Sequence, residues 1–359
     1  MHVKLSFVLS GLVAIALPFA PGLPAQDAAR TATADELPDP DGRPANMRKR
    51  VKVFILMGQS NMLGAGKIGP EDKPGTLEHA VRNEGLYPFL VDDEGAWTVR
   101  NDVRNVRVMQ HRGNMKVFNN EWMTITGGKI GPEFGIGHHL GNHFDEPVLI
   151  LKSCIGNRSL GWDLLPPGSE RFERDGRIYA GYKDSPDSWE KGTKPEPIGW
   201  YAGKQYDDDV ANAKKVLEDL REYYPKARGF EVAGFFWWQG AKDCGNAAHA
   251  ERYEQNLVRL IEQLRQDFKA PKAKFVCATL GQTQKGAGGN EGAVLEAQLA
   301  VDGQNGKYED FEGNVASVYS HPHCHGGSAN GHYGGNAKTY MDVGLAMGAA
   351  MVELFRGDD

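Results

Sequence analysis

The 359-residue sequence is poor in cysteine, with only four. None of them forms a Cys-x-x-Cys pair, so neither a disulfide scaffold nor a thiolate zinc site is expected. Basic clusters are equally scarce. Only "MRKRVK" (47–52) groups Lys and Arg, and the net charge is −6, which argues against a nucleic-acid partner. Long apolar runs are missing after the first 25 residues, so nothing in the body of the chain reads as a membrane span. There is no internal repeat. The serine elbow Gly-x-Ser-x-Gly is also lacking, because Met62 stands where its last glycine would be.

What is present is the composition of a globular protein, 40% hydrophobic and 25% charged. Lys4, the apolar run 5–20 and Leu23-Pro24-Ala25 together read as a secretory signal peptide cleaved after Ala25. An exported protein, periplasmic or extracellular, with no membrane attachment after cleavage, is the expectation. Residues 26–50 are polar and proline-containing and read as a disordered leader. Cys154 and Cys277 lie in apolar runs as buried thiols. Cys244 and Cys324 lie in loops, where an oxidising setting permits a bridge between them.

Five short, nearly continuous apolar runs follow: "VKVFILMG" (51–58), "PVLILKSCIG" (147–156), "GFEVAGFFWWQG" (229–240), "KFVCATLG" (274–281) and "VASVYS" (315–320). Such runs predict strands covered on both faces. Helical spacing over 207–224, 247–268 and 337–355 predicts helices between and after them. The Asp207–Asp209 run reads as a solvated helix start. Strand and helix in alternation predict a parallel doubly wound sheet, with ligands at the carboxyl ends of its strands. Ser60, Gly156 and Gln239 each follow such a run directly. The stretches at about 67–129 and 157–204, rich in Gly, Pro, Trp and Arg, read as insertions covering that rim.

Locally, Ser60 fits a helix N-cap as well as a nucleophile. Gly156 fits a turn or a close backbone approach to a ligand. Trp237 and Trp238 read as core. His321, His323 and His325 alternate, but Pro322 interrupts them and no carboxylate completes a metal set. His332, just before the last helix, could reach across the rim.

Taken together, "GQSNM", "IGNRSLGWD", "WWQGAKD" and "GHY" before a final helix resemble the SGNH-type hydrolases, and more narrowly their sialate O-acetylesterase-like branch with carbohydrate esterase family 6. The resemblance covers about 50–356 and implies a three-layer α/β/α sandwich with a mainly parallel, flavodoxin-like five-stranded sheet. It implies Ser60 as nucleophile, His332 as base, and an oxyanion hole from the Ser60 and Gly156 N–H groups and the Gln239 amide. It also implies no cofactor and no metal. The partner it implies is an acetylated glycan, with Gln59, Asn61 and Asn157 as candidate contacts and Trp97, Trp122, Trp162, Trp189 and Trp200 available for stacking. The family's acid three residues before the histidine is Ala329 here, and the Glu that some relatives carry after Gln-Gly is Ala241. Asp243 is the expected surrogate acid, with Asn330 or a backbone carbonyl as fallback. The expected activity is a secreted serine O-acetylesterase. A weakened carbohydrate-binding protein and a His-cluster metal hydrolase are the alternatives.

Overall fold

The computed structural model describes Leu37, Pro40 and residues 42–358. The expected signal peptide and most of the leader lie outside these residues. The five apolar runs all form strands: β1 (Val51–Gly58), β4 (Val148–Ser153), β5 (Phe230–Trp238), β6 (Lys274–Ala278) and β7 (Val315–Val318). The sheet nevertheless has seven strands, not five. The segment expected as a rim insertion supplies a hairpin, β2 (Arg100–His111) and β3 (Asn114–Met123), which extends one edge in the order β7-β6-β5-β1-β4-β2-β3. Every neighbouring pair is parallel except β2–β3. The hairpin escapes the sequence pattern because its strands carry polar and charged residues such as Arg104, Arg107 and Asn119 among few apolar ones. Partial exposure at the sheet edge permits that.

Three expected helices form, as α2 (Lys204–Glu218), α3 (Ala247–Asp267) and α5 (Ala337–Arg356). Two more, α1 (Glu133–His143) and α4 (Gly289–Ala300), lack a clear amphipathic stripe, so the sequence pattern does not mark them. The adjacent Trp237 and Trp238 show that helices cover both faces, since neighbouring strand residues point to opposite sides. Trp237 donates to Tyr253 of α3 at 3.2 Å, while Trp238 stacks on Tyr333 and packs against Tyr340 of α5. Both indoles are fully buried, each contributing roughly 2–3 kcal/mol of apolar burial.

The 157–204 segment forms three short strands and a small apolar cluster of Leu165, Ala180, Trp189 and Ala202. Among the described residues, no helix is long and apolar enough to cross a membrane.

Candidate active site

β1 is the central strand, and its end is forced into a sharp turn. Gly58 has φ +146°, and a Cβ there would collide with the Trp238 carbonyl of β5. Only glycine allows the two strand ends to approach so closely. The next residues turn into a four-residue helix, Ser60–Leu63, with Ser60 first. The first N–H groups of such a turn have no intrahelical acceptor. Gly156 lies alongside: a Cβ built on it would stand 3.4 Å from the Ser60 Cβ. Among the described residues, neither the Ser60 nor the Gly156 N–H donates to a protein acceptor, so both are available to an oxyanion.

The base of this turn is held from beneath. Lys152 of β4, buried, donates to the Leu63 carbonyl at 3.0 Å and pairs with Glu133 of α1 at 2.5 Å. Removing one partner of such a buried pair costs about 3–5 kcal/mol.

Across the rim, His332 and Tyr333 both adopt left-handed backbone, φ +51° and +49°, a conformation costly for non-glycine residues. Asn61 ties this loop to the Ser60 turn. Its amide donates to the Ala329 carbonyl at 3.2 Å, and its carbonyl oxygen accepts from the Tyr340 hydroxyl at 3.0 Å. The same hydroxyl lies 3.3 Å from the His332 carbonyl oxygen. One tyrosine thus links the serine turn to the histidine loop. Nothing in the sequence spacing singles out Tyr340.

Several expected roles fall elsewhere. Asn61 is buried and spent on these bonds, so it is not a substrate contact. Gln239 is buried and its amide hydrogens face three acceptors: Gln59 Oε1 at 3.2 Å, the Arg158 carbonyl at 2.9 Å and Asp243 Oδ2 at 2.5 Å. Its own Oε1 accepts from Tyr253 at 2.8 Å. An amide so fully engaged has no hydrogen left for an oxyanion, so its expected donor role gives way to a structural one. Asp243 likewise does not meet His332. Its oxygens accept from the N–H groups of Leu160 (2.9 Å) and Gly161 (2.8 Å) and from Gln239. Burial pushes its carboxyl above the usual range, against the opposing influence of His249 and these hydrogen bonds. Asp243 pins the 159–161 segment instead of orienting an imidazole, and among the described residues no carboxylate is hydrogen-bonded to the His332 ring.

Beside the Ser60 turn runs an open groove of about 630 Å³, lined among others by Gln59, Asn157, Trp162, Lys242 and Asn330. Gln59 lines it, but its Oε1 also accepts from the N–H groups of Gly240 and Lys242, each at 3.3 Å. Asn157 is exposed with φ +56°, free to meet a ligand. Of the five tryptophans expected to be available for stacking, only Trp162 lines the groove. Trp97, Trp122, Trp189 and Trp200 are covered by Arg82, Arg104, Arg171 and Arg158 respectively. His249, which the sequence does not single out, also lines the groove and bonds Asp187 at 2.9 Å. Burial works to lower its pKa, but Asp187, Asp243 and Asp163 outweigh it and the net shift is upward.

The three alternating histidines do not converge. His321 meets the Gly281 carbonyl at 2.7 Å, whereas His325 faces Asp342 at 3.2 Å. Among the described residues no group of three or more His, Cys, Asp or Glu is arranged to hold a metal ion. Cys244 and Cys324 are free thiols rather than a bridge, and burial pushes both up to about 12.

Residues 184–337 match the family model described as a carbohydrate esterase, sialic acid-specific acetylesterase. That stretch of the chain is similar to the sialate O-acetylesterase-like family. The match supports a carboxylic ester hydrolase of the class acting on carbohydrate acetyl groups. The matched span holds Gln239, Asp243 and His332, while Ser60 and Gly156 lie before it.

Likenesses to solved structures are distant. A protein from Arabidopsis thaliana is 18% identical, with 84% of this chain and 98% of that chain covered and a TM-score of 0.46. A carbohydrate acetylesterase from Xanthomonas citri is 13% identical, with 83% and 55% covered and a TM-score of 0.45. NanS is 16% identical, with 66% and 69% covered and a TM-score of 0.35. No curated protein matches the sequence.

Proposed function

We propose that this sialate O-acetylesterase-like chain is a serine esterase of the SGNH type that removes O-acetyl groups from a glycan through an acyl-enzyme on Ser60. One observation carries the reading: Ser60 opens a helical turn at the end of the central strand, flanked by two unengaged N–H groups and tied through Asn61 and Tyr340 to the His332 loop. In this mechanism His332 takes the Ser60 proton as the oxygen attacks the acetyl carbonyl carbon. The Ser60 and Gly156 N–H groups receive the oxyanion, each worth about 3 kcal/mol. Collapse breaks the ester bond, the imidazolium protonates the departing sugar oxygen, and water repeats the cycle to release acetate.

Without a carboxylate on the imidazole, Ser60 and His332 act as a pair. The resulting rate is expected to lie below that of a full triad, whose acid contributes up to about 10⁴-fold. Ser60→Ala should abolish both p-nitrophenyl acetate turnover and acetate release from acetylated glycans. Undiminished turnover in that variant overturns the assignment. The N-terminal 25 residues support action after export, and a mature chain still carrying them would overturn that part.

A second reading, glycan binding without turnover, draws on one observation, the engagement of Asp243 away from His332. Glycan binding with no acetate release from any acetylated polysaccharide would establish it instead.

A further inference from the structure

His249 takes no part in the acyl transfer at Ser60, yet its imidazole is a buried group in the wall of the groove. It stands in the first turn of α3, behind the Asn246 N-cap, where the helix dipole disfavours a positive charge. Three carboxyl groups from other parts of the chain face it. Asp187 bonds Nε2 at 2.9 Å, and Asp163 and Asp243 act on the ring from the rim. Burial works to lower the imidazole from its ordinary 6.5, and the carboxyls outweigh it, so the net shift is upward. Glu170, Arg171, Arg252 and Arg259 line a small cavity that His249 also borders. Of these, Arg171 is taken up by Asp184, at 2.5 and 2.6 Å. Glu251, two residues further along α3, pairs with Arg174 at 3.0 Å.

Each of the three carboxyls holds a different piece of the groove wall. Asp163 accepts from the Ser159 N–H at 2.9 Å and from its hydroxyl at 3.2 Å. Asp243 accepts from the Leu160 and Gly161 N–H groups. Asp187 precedes the short strand Ser188–Glu190, and its carbonyl accepts from the Ala180 N–H at 2.9 Å. Ser159, Trp162, Asp163 and Asp187 all line the groove. The Gly161 backbone packs so closely on the His249 ring that a Cβ there would collide with it. Tyr179 of the small sheet meets the same ring edge-on, with centroids 6.2 Å apart. One buried imidazole is thus the point where the rim segment after Gly156, the small sheet and α3 come together.

We propose that His249 is a positioning residue: as an imidazolium shared by Asp187, Asp163 and Asp243, it clamps the 157–204 segment against α3 and so sets the groove's affinity for an extended glycan. The proposal rests on the esterase reading above and leaves the chemistry at Ser60 unchanged. Its sign follows from the charges. The clamp is complete below the ordinary histidine value and is lost as pH rises through the raised one.

The test measures KM and kcat from about pH 5.5 to about pH 8.5, with acetylated xylan and acetylated glucomannan as polymers. p-Nitrophenyl acetate serves as the ester too small to span the groove. In the wild type, KM for the polymer should rise about tenfold across this range, the size of one charge-assisted hydrogen bond. KM for p-nitrophenyl acetate should stay nearly constant. His249→Gln should show the high polymer KM at every pH, with kcat little moved. His249→Lys, which keeps the charge, should hold the low KM to the alkaline end. Asp187→Asn, at a partly exposed position, should move the rise to lower pH. The proposal is overturned by a polymer KM independent of pH in the wild type, or by the wild-type profile persisting in His249→Gln. A loss in His249→Gln shared equally by polymer and p-nitrophenyl acetate marks a packing role alone and also overturns it. If p-nitrophenyl acetate is hydrolysed but neither polymer is, or if no ester is hydrolysed and the esterase reading itself has failed, hydrogen exchange over 178–190, corrected for intrinsic rates, judges the clamp separately. Protection that falls with pH in the wild type and is low throughout in His249→Gln supports it, and equal protection overturns it.

Discussion

Among single residues, Asp243 shows how position in a motif can mislead. It follows Gln239 on a rim loop, where a triad acid would be at home, yet its two oxygens are fully used on Leu160, Gly161 and Gln239. Asn at this position would set an amide hydrogen against one of those donors. Asp243→Asn should therefore lower stability by about 1–3 kcal/mol, seen as a reduced midpoint in urea unfolding. Its kcat, measured below that midpoint, should fall far less than the roughly 10⁴-fold that loss of a triad acid brings. A fall of that size with unchanged stability would restore Asp243 to the triad. Gln239 carries the same lesson, since a buried amide is available only if its neighbours leave it a hydrogen.

Between elements, the site depends on how the start of α5 is tied to the turn after β1. The Tyr340 hydroxyl touches Asn61 and the His332 carbonyl at once. Tyr340→Phe keeps the ring against Trp238 and removes that link together with the hydroxyl's backbone hydrogen bond to Ala65. It should cost about 1 kcal/mol of stability but about tenfold in kcat, with KM for p-nitrophenyl acetate nearly unchanged. A kcat equal to wild type would mean that the two loops are held together without the hydroxyl. Legibility of the elements in the sequence follows burial. β1, β4, β5, β6 and β7 are readable because both faces are covered and the runs are continuously apolar. The β2–β3 hairpin lies at the edge with polar side chains, α1 is buried over most of its surface, and α4 exposes Gly289 and Ala293 while burying Gln298, so neither helix shows a stripe.

For the molecule as a unit, the packing of α1 against the rest sets a pH limit. His138 and His139 lie side by side on α1, both buried. Burial lowers both, and Arg100 adds to the effect on His138. For His139, burial with a contribution from Arg356 brings the value down to about 4. Between pH 4 and 6.5 the unfolded chain therefore binds the His139 proton that the folded chain refuses, and stability is lost as pH falls through this window. Asp209 and Asp243, whose carboxyls burial raises, act in the opposite sense, losing stability as pH rises from the ordinary carboxylate value. The comparison that isolates the histidine is wild type against His139→Gln. From about pH 7 to about pH 4 the wild type should lose up to about 3 kcal/mol more than the variant in chemical unfolding. Parallel curves would show that His139 protonates freely in the folded protein.

Five covered strands, their alternation with helices, and the placement of Ser60, Gly156 and Gln239 at strand ends can all be read from the chain without its fold. They follow from short-range patterns of apolar and turn-forming residues. So does the position of His332 before the last helix, within motifs that resemble an esterase family. Which of these polar groups stay free for chemistry is a matter of three-dimensional packing alone. Hydrogen-bonding capacity is consumed by partners distant in the chain: Gln239 by Gln59, Arg158 and Tyr253, and Asp243 by Leu160 and Gly161. The same long-range packing brings His249 against Asp187, 62 residues earlier, a juxtaposition that no local pattern encodes.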